Sequence, residues 1–403
     1  MKNLLLAICL LLGSCGVVGP GLFIEVENEL DFARNGEVVE IEWEQLQGAA
    51  ITPEKVVVFD NNDNQVPSQV VFDNEGNPTH LLFTASVEAN SSSVYNIRRK
   101  VREEYPPQAY GRYVPERMDD YAWENNLTAY RIYGPRLKDP LTQGVDVWVK
   151  NTPKMIIDEW FARGNYHHNY GEGMDCYKVG NTLGGGALAV VDGGELLLSG
   201  NYTKQLCTAN GPIRTKAEFE YAPINVAGKR VIMHRTIWLD ANSRFTCQEY
   251  CLEGFEGNIE VAAGIVLHDV KAQSEGKDYV AITEPASDSK EPERDGNISL
   301  AVILQGGESS SEMDYHAVTL RKVQAGETIR MWNGSAWSQS GVKSHEEWQT
   351  EVEQMRQRIA SPLTAKFIKR REAKGIQNSK LANTLSDIEL NRVFLYCWLS
   401  MES

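Results

Sequence analysis

Motifs that announce a chemistry outright are missing from this chain. It has no H-x-x-x-H or C-x-x-C spacing, so no metal-ligand pair is written into a single element. It has no phosphate-cradling glycine loop, no internal repeat and no low-complexity tract. Its apolar run at Leu4–Leu12 is far shorter than the ~20 residues that span a bilayer as a helix. Positive charge is in deficit, with 40 Lys and Arg against 55 Asp and Glu, and the acidic excess lies between residues 16 and 365. Such a surface repels polyphosphates, which argues against nucleic acid as a partner. An anionic substrate would need a local basic cluster inside that acidic shell. Cysteine is sparse as well. Setting aside Cys9 and Cys15 leaves Cys176, Cys207, Cys247, Cys251 and Cys397, an odd set that argues against a complete disulfide framework. Cys247 and Cys251 on one strand would stand roughly 13 Å apart, too far to bond. A Cys176–Cys207 bridge stays open.

What is present begins with a leader. Met1-Lys2-Asn3, the apolar Leu4–Leu12 and Gly13-Ser14-Cys15 read as a signal peptide over residues 1–15. Leu12-Gly13-Ser14-Cys15 also has the form of a bacterial lipobox, which predicts lipidation at Cys15. The expectation is an exported protein, periplasmic or at the cell surface, that meets the membrane through this anchor alone.

From residue 16 to 97 short apolar runs such as Val56–Phe59, Val70–Phe72 and Leu81–Phe83 alternate with Asn- and Gly-rich turns, the pattern of a β-sandwich. Residues 98–127 are charged and rich in Pro and Tyr, and predict a long connecting loop bearing site residues. Residues 128–365 return to longer strands. Val231–Leu239 and Ile259–Leu267 alternate with bulk on both faces, which predicts large stacked sheets. A helix is expected from Ser344, where Ser344 and Glu347 form a capping box and Trp348, Val352, Met355 and Ile359 make an apolar stripe. Residues 366–403 form a basic tail that leaves the β pattern. The fold class read from these patterns is mainly β, with large stacked sheets and few helices.

Two segments concentrate polar and aromatic residues: Tyr110–Asn125 and Tyr166–Lys178. Aromatic faces stack on pyranose rings, while Asp, Asn and Arg read hydroxyls. Tyr113, Asp119, Asp120, Trp123, Glu124, Tyr166 and Asp175 are the candidate substrate contacts, with His234, Arg235 and His268 from later strands. Arg117 suits bidentate pairing with a carboxylate, or else neutralises Asp119 or Asp120. His167, His168, Tyr170 and Glu172 are the acid/base candidates, and adjacent histidines on a strand point to opposite faces, so one of the two lines a pocket. His234 reads equally well as a core histidine. No resident cofactor is expected. The competing account is a divalent cation on His167, Glu172, Asp175 and a distant histidine.

Through Glu116–Asn125 and Asn165–Asp175, and through Val26–Leu30 and Arg34–Glu37, the chain resembles a domain family of Bacteroidetes polysaccharide-utilisation loci over roughly residues 23–360. The resemblance implies a mainly β fold, a large antiparallel β-supersandwich of the galactose-mutarotase-like kind with few helices, acting on oligosaccharides, and the chain is similar to an ulvan oligosaccharide dehydratase. The expected activity is thus a carbon–oxygen lyase or dehydratase using β-elimination on a uronate-containing oligosaccharide. Arg117 would neutralise the carboxylate, His167 or His168 would act as base, and Tyr170 or Tyr166 as acid. The alternatives are a sugar mutarotase or epimerase, with Glu172 or Glu249 as base, a non-catalytic glycan-binding lipoprotein, and a glycoside hydrolase.

Overall fold

A computed structural model describes residues 21–47, 50–370 and 372–376. Cys15 and most of the basic tail lie outside them. The N-terminal unit is a sandwich of two sheets. One runs in the order Thr364–Ile368, Leu22–Asn28, Ser91–Arg98, Val57–Phe59, Gln65–Val66, and the other pairs Arg34–Glu42, Pro78–Val87 and Ser68–Phe72. Ile24, Val26, Ile41, Val58, Leu81, Phe83 and Ile97 fill the space between. The turns form for a local reason: Asp60 Oδ1 accepts the Asn62 and Asn64 N–H groups at 2.8 Å each, and Asp73 holds Glu75 and Asn77 in the same way.

The main unit is a larger sandwich. Its long sheet runs Tyr202–Asn210, Arg214–Tyr221, Lys229–Asp240, Phe245–Glu253, Thr328–Trp337, Asn297–Leu304, Tyr279–Pro285, Ala272–Gly276. Two five-stranded sheets back it. One is centred on Asn258–Val266 and the other on Thr128–Ile132, and a parallel bridge between Val145 and Gly184 joins them. All three sheets contribute to one core that includes Trp123, Val147, Phe219, Met233, Val261 and Leu300. The architecture is the expected mainly antiparallel β-sandwich.

The helix His345–Ala360 closes the outer face of the long sheet. Ser344 Oγ accepts the Glu347 N–H, and the Glu347 carboxylate accepts the Lys343 N–H at 2.7 Å, one residue short of the capping-box partner. Beneath it Trp348 stacks on Phe245 at 5.4 Å and donates to the Leu300 carbonyl.

Two boundaries move. Residues 98–127 are not one long loop, because Ala109–Val114 and Asp120–Asn125 pair as an antiparallel hairpin and only the stretch before it is irregular. At the other end the strand Thr364–Ile368 crosses the expected limit at 365 and pairs with Leu22–Asn28. The four described cysteines from Cys176 to Cys251 are free, so no Cys176–Cys207 bridge forms.

Candidate functional site

The sheet ordered Gly173–Asp175, Asp146–Lys150, Thr128–Ile132, Asp120–Asn125, Ala109–Val114 has one face in the core and one turned outward. Tyr121 and Trp123, Tyr130 and Ile132, and Val147 and Val149 take the core side. Strand alternation then places Asp120, Ala122, Glu124, Arg131, Asp146, Trp148, Lys150 and Asp175 on the opposite side. The helix Ile157–Arg163 and the turn after it cover that side, with Trp148 stacked against Trp160 and Tyr166. Eight strand positions that would ordinarily meet water are therefore buried, six of them charged.

Glu124 and Lys150 settle their charges between themselves at 2.7 Å. The second Glu124 oxygen accepts the Ile156 and Ile157 N–H groups at the start of the helix. The remaining charges are less evenly matched. Arg131 Nη2 is 2.6 Å from Asp146 and 3.0 Å from Asp175, its Nε is 3.9 Å from Asp120, and Nη1 donates to the Tyr166 hydroxyl at 3.3 Å. One guanidinium thus faces three buried carboxylates. Asp120 Oδ2, Asp175 Oδ1 and Arg131 Nε make no well-formed hydrogen bond among the described residues. Burial pushes Asp120 up to about 6, against the opposing pull of Arg131. Burial and the Asp146 charge drive Asp175 well above the carboxylate range. Gly134 N–H donates to Asp120 Oδ1 at 3.0 Å, and a Cβ on Gly134 would stand 1.9 Å from the Asp119 carbonyl, so this approach requires glycine. Arg117 reaches Asp120 only at 3.9 Å, and its side chain is 34% exposed.

Two histidines flank this cluster. His167 Nδ1 donates to the Asp175 main-chain oxygen at 3.2 Å and lies 3.8 Å from Asp288 Oδ2, while Nε2 lies 3.8 Å from Asp175 Oδ2. The segment bearing Asp288 is tied down by Asp288 N–H to Cys176 O, Lys290 N–H to His167 O and Asn169 to Asp295. His268 Nδ1 sits 2.8 Å from Glu284 Oε1, which follows Val280 and Ile282 on the core side of its strand. The Tyr177 ring meets the His268 ring edge-on at 5.2 Å. The Tyr177 hydroxyl and Glu284 Oε2 are buried without a hydrogen-bond partner among the described residues. Burial raises the Tyr177 pKa first, and Glu284 and Asp146 raise it further, so this tyrosine links the His268 pair to the Arg131 cluster. The assembly offers acid/base groups, an accessible guanidinium, and a His167–Asp175–Asp288 group whose ligand atoms all lie within 4.8 Å of one another.

Of the residues singled out from sequence, Asp120, Asp175, Tyr166, His167 and Arg117 come together here, with His268 beside them. Others are placed elsewhere. Trp123 is buried in the core and donates to Thr246, so it has no face for a sugar. Glu124 is committed to Lys150 and the helix start. Arg235 is buried and donates to the Gln143 carbonyl and the Tyr221 hydroxyl. His234 is exposed on the outer face of the long sheet, across the core from Arg131, so it is not a core histidine. His168 sits against Tyr170 and 3.8 Å from Glu291, and Tyr170 is half exposed over Arg163. Glu172 pairs with Lys154 at 2.8 Å and is absent from the possible metal group. Glu249 pairs with Arg330 at 2.6 Å. Tyr113 and Asp119 bond each other at the surface, with Arg136 on Asp119 at 2.6 Å. Sequence reading passed over Arg131, Asp146, Tyr177, Glu284 and Asp288. The available signal was a charge inside an apolar strand, as in Thr128-Ala129-Tyr130-Arg131-Ile132 and Asp146-Val147-Trp148-Val149.

The profile of the family described as a domain of unknown function (DUF4861) matches residues 26–365. Uncharacterized protein P7 of Formosa agariphila, a member of the Bacteroidetes, is 33% identical over 272 residues, covering 62% of this chain and 68% of that protein. Among solved structures, an alpha-mannosidase from Enterococcus faecalis V583 superposes with a TM-score of 0.51 at 8% identity, covering 87% of this chain and 46% of the mannosidase. A protein in the Glycosyl Hydrolase Family 38 from Enterococcus faecalis gives a TM-score of 0.51 at 10% identity, covering 87% and 48%. This chain spans about half the length of those two structures, and the likeness to them is one of fold. With its profile matched across most of its length, the chain belongs to the DUF4861 family.

Proposed function

We propose that this cluster is the active site of a carbon–oxygen lyase or dehydratase that acts by β-elimination on a uronate-containing oligosaccharide. The observation that carries the reading is the His268–Glu284 pair, at 2.8 Å, beside the unpartnered Tyr177 hydroxyl. A carboxylate that accepts Nδ1–H leaves Nε2 with its lone pair and stabilises the imidazolium formed when that nitrogen takes a proton. His268 replaces His167 and His168 as the base in this assignment. It removes the proton α to the uronate carboxylate, the electron pair becomes the new carbon–carbon double bond, and the β carbon–oxygen bond breaks. Tyr166, whose hydroxyl is polarised by the Arg131 guanidinium, returns a proton to the departing oxygen. Arg117, loosely held and partly exposed, pairs with the substrate carboxylate.

A carbohydrate role is supported by the fold shared with proteins named as an alpha-mannosidase and a Glycosyl Hydrolase Family 38 member. Export and a lipid anchor at Cys15 belong to the same proposal and rest on the leader sequence.

The test is incubation with a panel of uronate-containing oligosaccharides, followed by ultraviolet absorbance of unsaturated uronate and by product mass. Elimination yields new absorbance with loss of water or cleavage without water addition, and His268→Ala lowers kcat by ~10²–10⁴. Unchanged mass with altered stereochemistry by NMR means a mutarotase or epimerase instead. Tight binding without turnover means a glycan-binding protein.

A further inference from the structure

We infer that His167, Asp175 and Asp288 form a binding site for one divalent transition-metal cation. Each offers one ligand atom, and the three atoms lie within 4.8 Å of one another. Metal–ligand bonds of ~2.0–2.2 Å place neighbouring ligand atoms roughly 3–4 Å apart, so small side-chain adjustments close the site. The imidazole is already set for the task. Its Nδ1 must donate to the Asp175 carbonyl, since that oxygen can only accept, and this fixes the tautomer with the Nε2 lone pair 3.8 Å from Asp175 Oδ2. A histidine ligand held through its other nitrogen by a main-chain oxygen is the usual outer support of a metal site.

A second, independent observation comes from Asp175 itself. It is 1% exposed, yet its Oδ1 makes no well-formed hydrogen bond among the described residues, while Arg131 bonds Oδ2, the Tyr177 backbone N–H is turned to the carboxylate, and Asp146 and Asp288 add negative charge beside it. A buried carboxylate oxygen left in that state is costly unless something positive meets it. Arg131 does not suffice, because it is shared with Asp146 and Asp120. Asp288, 43% exposed, is the solvent-side member of the group, with Oδ2 3.8 Å from the Nδ1 edge of the imidazole and a ligand atom within 4.8 Å of the other two.

The donor set selects the ion. One imidazole nitrogen with two carboxylates favours Zn²⁺ or Mn²⁺, whereas Ca²⁺ prefers six to eight oxygens. Under the elimination reading above, a cation held here would also attract the substrate carboxylate. That role depends on the reading, whereas the binding does not.

The test is isothermal titration of the chelator-treated full chain with Zn²⁺ and Mn²⁺, with Ca²⁺ as the contrast. The expected result is one ion per chain, with affinity reduced at least ~10-fold in Asp288→Asn and in His167→Ala. Asp288 is exposed, so its variant should keep the wild-type circular dichroism and melting temperature. Binding that is undiminished in both folded variants overturns the site, as does no binding at millimolar metal. Metal binding without elimination on any oligosaccharide leaves the site standing and removes the proposed reaction.

Discussion

Lys150 and Glu124 illustrate what a buried charge requires of its neighbours. Both are buried, and the ammonium also bonds the Asn125 carbonyl at 2.9 Å, so neither charge is left alone. Lys150→Met removes the cation and strands Glu124, and should lower stability by about 3–5 kcal/mol in urea unfolding, whereas Lys154→Met at the exposed Glu172 pair should leave the urea midpoint unchanged. Asp120 behaves in the opposite sense. Its folded pKa, about 6, stands above the ordinary 3.8, so the folded state holds that proton more tightly than the unfolded chain does. Its contribution is favourable below pH 4 and declines as pH rises from about 4 to about 6. Asp120→Asn should flatten that part of the stability profile. Parallel wild-type and variant profiles through this window would show that the shift is absent. His316 adds a slope of opposite sign. Burial lowers its pKa, and its Nε2 accepts the Leu183 N–H, so its contribution is lost as pH falls below about 6.5.

At the scale of elements, legibility followed how plainly a segment alternates. The strands around Val231–Leu239 were readable from their period of two, and the helix after Ser344 from its apolar stripe and the cap that marks its start. Ser344→Ala should cost about 1 kcal/mol, and Trp348→Ala about 3–5 kcal/mol through the cavity left against Phe245, both measurable by thermal melting. The hairpin Ala109–Val114/Asp120–Asn125 was not readable. Its outward positions carry Asp120 and Glu124, which look solvated in a sequence and are buried in the fold because the helix Ile157–Arg163 and the turn after it cover them. The rule that separates polar-out from apolar-in failed where the protein buries charge, and that is also where the candidate site lies.

Across the whole molecule, the site joins residues that sequence proximity does not. Asp120 and Arg131 are close in the chain, but Asp175, His268, Glu284 and Asp288 arrive from other strands and from the segment that ties Asp288 to Cys176. Composition could select Tyr166–Lys178 as a site segment, and could not identify Asp288 or Glu284, which have nothing unusual around them in sequence. The N-terminal unit poses a related long-range question. Its strand Leu22–Asn28 is covered on one side by Thr364–Ile368, in a register that sets Val26 opposite Ala365. Time is built into that pairing. During synthesis the first strand emerges more than 300 residues before its partner, and until then it presents a bare hydrogen-bonding edge. The sandwich that folds earliest by position is therefore completed last, and a chain interrupted before residue 364 keeps an adhesive margin near its front.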